Sequence, residues 1–82
     1  MSTDQLIASL AQQIATQILK RPDKKISPDE PILSSGMIDS FNLVDLSILI
    51  EEKFGVRLDD AELNANTFDT IRQLAAIIEA RQ

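Results

Sequence analysis

The sequence predicts an all-α protein: a four-helix bundle with a long first connection and a short third helix. Three observations carry that expectation. Apolar residues recur at helical spacing, three or four apart, with no sustained alternation that would mark a strand. Serine or threonine stands ahead of the first and last apolar runs, each followed three residues later by glutamine. All three prolines, Pro22, Pro28 and Pro31, fall in one interval, residues 22–39, which also holds Gly36 and reads as a loop.

Helix one begins after Ser2, with Gln5 completing a capping box, and carries the stripe Leu6, Ile7, Leu10, Ala11, Ile14 and Ile18. It closes near Lys20 and Arg21, where cations suit the negative end of the helix dipole, and Pro22 cannot continue it. The loop that follows contains Ile26, Ile32, Leu33, Met37 and Ile38, apolar enough to be pinned onto a core. So long a connection in so small a domain is usually functional.

Helix two runs from Ser40 to Phe54, with Asp39 adding negative charge at its start and Gly55 stopping it. Taken alone, Ser40 is a helix N-cap. At about 100° per residue, Val44 and Ile48 share one side and Leu43, Leu46, Ile50 and Phe54 another. On this wheel Leu49 falls among Asn42, Asp45, Glu52 and Lys53, which makes it a solvent-facing leucine in a polar strip. Acids at Asp59, Asp60 and Glu62 followed by Asn64 and Asn66 suit one short third helix. Thr70 and Gln73 cap the last helix, whose inner face is Ile71, Leu74, Ala75 and Ile78, with Phe68 docking just ahead of it.

Composition narrows function. In 82 residues there is no Cys, His, Trp or Tyr, which removes disulfides, Cys or His metal sites, thiol nucleophiles and a Ser-His-Asp triad. The chain is read as no enzyme. Net charge is −5, the wrong sign for nucleic acid, and the longest apolar-rich stretch, Leu46–Ile50, is far too short for a bilayer. Charge is also unevenly placed. Residues 39–65 hold seven acids and two bases, so the middle of the chain carries the net charge and favours a basic partner. The acids Asp59, Asp60 and Glu62 lack the alternating ligands and glycine of a calcium loop and read as a solvated helix start. With no basic, apolar leader at Met1–Gln5, the chain is placed in the cytoplasm as a single domain, residues 1–82, and as a monomer.

The run Gly36-Met37-Ile38-Asp39-Ser40-Phe41, then Val44-Asp45-Leu46 and Ile50-Glu51-Glu52-Lys53-Phe54-Gly55-Val56, resembles the acyl carrier protein family, including its aminoacyl and peptidyl carriers. The likeness extends over nearly the whole chain. It implies that Ser40, flanked by Asp39, carries 4′-phosphopantetheine and that the protein is a stand-alone carrier of acyl or aminoacyl thioesters. The implied partners are a phosphopantetheinyl transferase, an acyl- or amino-acid-activating ligase and downstream acyl-transfer enzymes. Phe41, Asn42, Leu43 and Ser47 depart from the fatty-acid branch, and Ser34–Ser40 is similar to D-alanyl carriers. Partners are expected to read Phe41, Asn42, Asp45, Leu49 and Glu52; Val44, Ile48, Ile71 and Leu74 are read either as an ordinary filled core or as the lining of a cargo space. The rival reading is an unmodified helical interaction module with an acidic docking face.

Overall fold

The computed structural model describes residues 2–82, which form three α-helices and no strand. These are α1 (Thr3–Gln13), α2 (Ser40–Phe54) and α3 (Ile71–Arg81). The expected third of four helices is only a 3-10 turn, Asp60–Glu62. Asn64 explains its brevity: its side-chain Oδ1 accepts from the backbone N–H groups of Asn66 and Thr67 at 3.0 and 3.1 Å, turning the chain away from a further helical turn.

Both glutamine boxes form. Ser2 Oγ accepts the Gln5 N–H at 3.2 Å while Gln5 Oε1 accepts the Ser2 N–H at 3.1 Å. Thr70 Oγ1 accepts the Gln73 N–H at 3.1 Å, and Gln73 Oε1 accepts the N–H groups of Thr70 and Asp69 at 3.2 and 2.7 Å. Beyond Gln13, α1 widens into a π-helical turn, Ile14–Ile18, which keeps Ile14, Ala15 and Ile18 all buried. Lys20 then takes a left-handed conformation, φ 57°, and the Arg21 N–H reaches back to the Ala15 carbonyl at 2.7 Å. At the far end of α2, Gly55 adopts φ 70°, where a residue without Cβ is least strained.

α1 packs against α3, and α2 leans on the π turn. The core gathers Leu6, Leu10 and Ile14 with Leu46 and Ile50 from α2, Ile71, Leu74 and Ile78 from α3, and Phe68 ahead of α3. Each such side chain contributes about 1.5–3 kcal/mol by leaving water.

The phase of α2 differs from the sequence expectation. Leu49 is 6% exposed and belongs to the core, whereas Val44 and Ile48 are 54% and 47% exposed. One continuous arc, Leu43, Leu46, Leu49, Ile50 and Phe54, faces inward, because α2 leans on the π turn, whose Ile18 joins Leu49 in one buried cluster. The side of α2 that carries Val44 and Ile48 is thus an exposed one.

Candidate functional site

The segment leading into α2 is built from short-range bonds and one carboxylate. Ser35 Oγ donates to the Pro31 carbonyl at 2.6 Å, and the Gly36 N–H, at a residue with φ 81°, donates to the Leu33 carbonyl at 3.1 Å. The Ile38 N–H closes the segment on the Ile32 carbonyl at 2.8 Å. Asp69, just before α3, grips it from outside: Oδ1 accepts the N–H groups of Leu33 and Ser34, both at 2.9 Å, and Oδ2 accepts the Ser34 hydroxyl at 2.6 Å. That hydroxyl first, and then the backbone donors, hold the Asp69 carboxyl below its ordinary pKa. A second tether lies nearby, where the Arg72 guanidinium donates to Asp29 at 2.8 Å and lowers the Asp29 pKa. Ile26, Ile32 and Ile38 are buried, so the loop is fixed to the core and delivers the chain to α2 in one orientation.

Asp39, not Ser40, is the N-cap of α2. Its Oδ1 accepts the N–H groups of Phe41 and Asn42 at 3.0 and 2.9 Å. Ser40 is therefore the first helical residue, exposed, and among the described residues its hydroxyl has no hydrogen-bond partner. With the capping work done by its neighbour, the Ser40 Oγ is unspent and open to solvent. It also stands at the helix end whose dipole favours an anion. These residues fit a phosphodiester-linked arm.

Along α2 the exposed face carries Phe41, 85% exposed, with Val44 and Ile48 one and two turns further and Asp45, Glu51 and Glu52 around them. Asn42, Asp45, Leu49 and Glu52 do come together, lining a shallow groove of about 320 Å³ with Gln17, Ile18, Lys20 and Ile48. Leu49 forms part of its floor and is buried, so it is no solvent-facing docking residue. Sequence reasoning missed Val44 and Ile48 as surface residues. The signal was there: apolar residues encircle α2 more widely than one buried face can use. Val44, Ile48, Ile71 and Leu74 share neither a cargo space nor one filled core, because the first two face outward and the last two are fully buried. No three described residues form a metal-binding cluster of acids. No helix of the described residues is long and apolar enough to cross a membrane.

A family model described as the phosphopantetheine attachment site matches residues 9–78. The chain belongs to this phosphopantetheine-binding carrier family. It is 27% identical to the acyl carrier protein of Thermotoga maritima over 99% of this chain and 98% of that one. It is 30% identical to acyl carrier protein 2, chloroplastic, of Spinacia oleracea, over 95% of this chain and 58% of that protein. The D-alanyl carrier protein of Bacillus velezensis is 28% identical over 70% of this chain and 73% of its own length. The protein is thus a carrier and not an enzyme, and its cofactor is a covalently attached 4′-phosphopantetheine. Carriers of this family work in general with a phosphopantetheinyl transferase and with acyl-handling enzymes.

Proposed function

We propose that residues 1–82 are one carrier domain, that Ser40 Oγ holds the arm, and that the domain presents acyl or aminoacyl thioesters to partner enzymes. The observation that carries this is the free, exposed Ser40 hydroxyl beside a cap made by Asp39. In the transfer, Ser40 Oγ forms the new bond to phosphorus as the donor's leaving group departs, and its proton passes to a base on the transferase. The arm supplies the thiol that holds cargo. A chain without Cys or His offers no side chain of its own of either type to attack or deprotonate near that thioester.

Partners would dock on α2 beside Ser40. Phe41, Val44 and Ile48 offer an apolar strip, and Asn42, Asp45 and Glu52 offer polar and acidic contacts along it. The acids favour a basic partner and raise encounter rates, while the apolar strip slows dissociation. Leu49 supports the face from beneath.

Intact mass after incubation with a phosphopantetheinyl transferase and its donor tests the assignment. One arm is expected on the wild-type chain and none on Ser40→Ala. An arm on the variant would overturn it.

A further inference from the structure

Residues 20–25 concentrate four of the eight basic side chains, Lys20, Arg21, Lys24 and Lys25, on a chain of net charge −5. Of these only Lys20 lines the groove along α2. The fold gives two of them a particular place. After the left-handed Lys20, the Lys24 N–H donates to the Arg21 carbonyl at 3.0 Å, so Arg21 and Lys24 are brought together across one turn. Together with Leu19 and Met37 they line a notch of about 230 Å³. Leu19, Lys24 and Met37 are half-buried. Among the described residues neither cation is ion-paired; the two salt bridges are Arg72 with Asp29 and Arg81 with Glu62. Asp23 lies in the same turn but does not line the notch.

We infer that this notch receives the carboxylate end of a short acyl cargo, one that bears a free acid at the end remote from its thioester. The inference rests on Ser40 as the attachment point and names the cargo class for that reading. Met37 precedes Ser40 by three residues, so their Cα atoms are at most about 11 Å apart, within reach of a long flexible arm. Leu19 and Met37 supply an apolar floor for the methylenes, and Arg21 and Lys24 supply the charge-assisted donors. The volume suits a few carbons. Two unpaired cations also repel the ammonium of an aminoacyl cargo, so the notch discriminates by sign. Weak intrinsic affinity is enough, because tethering holds the cargo at an effective concentration on the order of millimolar. The arm's own phosphodiester is an anion too, but it is bonded at Ser40 Oγ and lacks the reach of the cargo end.

The test uses the protein carrying an unloaded arm, or an arm bearing succinyl, butyryl or β-alanyl groups through a hydrolysis-resistant amide. Amide NMR shifts are followed at Leu19, Arg21, Lys24 and Met37. Succinyl is expected to move these signals several-fold further than butyryl or β-alanyl, and 1 M salt, with a Debye length of about 3 Å, to shrink the difference. Arg21→Gln with Lys24→Gln should erase it while circular dichroism stays that of the wild type. Equal shifts from succinyl and butyryl, or shifts already complete on attachment of the unloaded arm, would overturn the inference, the latter by assigning the notch to the phosphodiester. A chain that gains no arm mass removes both readings. An arm that loads yet leaves the notch amides unmoved removes only this one.

Discussion

The two faces of α2 are built from the same kinds of residue and do opposite things. Leu46, Leu49 and Ile50 turn inward and are buried, while Phe41, Val44 and Ile48 turn outward into solvent. Hydrophobicity alone does not separate them. What separates them is the neighbour each one meets: the inner arc lies against the bundle and the π turn of α1, and the outer strip is left largely open, with only Ile48 bordering the groove beside the π turn. An apolar strip that the fold leaves uncovered, beside a free serine and ringed by Asp45, Glu51 and Glu52, is the face on which we propose that an external partner docks.

Swapping one residue on each face gives the largest contrast. Leu49→Ala removes a buried side chain and should cost about 2–5 kcal/mol, lowering the melting temperature by roughly 4–8 °C for each kcal/mol in a domain this small. Ile48→Ala, one residue away, should stay within about 0.5 kcal/mol. Thermal denaturation followed by circular dichroism reads both. Equal losses would erase the distinction between the faces.

A smaller contrast lies at the helix start, between the residue that caps α2 and the one that does not. Asp39→Ala leaves the N–H groups of Phe41 and Asn42 without their acceptor and should cost about 0.5–2 kcal/mol. Ser40→Ala should change stability by less than about 0.5 kcal/mol, since alanine is at least as good a helix former and no bond is lost. Urea unfolding distinguishes the two. If Ser40→Ala proved the costlier, the serine hydroxyl would be spent on the helix and the argument for its availability would fail.

Local chemistry explains how far the sequence alone reaches. The capping boxes of Ser2 with Gln5 and Thr70 with Gln73, the stop at Gly55 and the docking of Phe68 are all local or strongly apolar signals, and each appears in the structure as the sequence implies. Choosing between adjacent caps is harder. Asp39 and Ser40 are both good N-caps, and only the chain direction imposed by the loop decides that Asp39 faces the free N–H groups. The phase of α2 is likewise a tertiary property, because the helix leans on the π turn, some thirty residues before Leu49, which no local pattern announces. The Asp69 latch joins residues 35 positions apart and leaves no periodic trace. The role proposed for Ser40 rests on family resemblance, and the geometry that frees its hydroxyl is visible only in the fold.

The smallest expected effect concerns that latch, and it appears only in acid. Asp69 holds the loop whose last core residue, Ile38, lies two positions before Ser40, so it supports the inner side of the α2 entry and leaves the outer strip alone. Its carboxyl titrates below the ordinary value of 3.8 because the Ser34 hydroxyl and the backbone N–H groups of Ser34 and Leu33 all favour the charged form. The native state therefore binds this proton less readily than the unfolded chain. Its stabilisation is complete above the ordinary value and is lost as pH falls through the depressed native value. Asp69→Asn removes that contribution at neutral pH, since the amide keeps one acceptor but loses the charge and points a donor at the Ser34 hydroxyl. Its stability should then decline less steeply than the wild type's below about pH 4. Some decline remains, because Asp29 and Glu62 are also depressed by Arg72 and Arg81. Amide exchange at Leu33 and Ser34 should quicken in the variant, whereas exchange at Leu46 and Ile50, on the inner face of α2, should not. Parallel acid profiles for the two proteins would show that the carboxylate is only decorating the loop, and faster exchange at Ile50 would show that loop and helix core open as one unit.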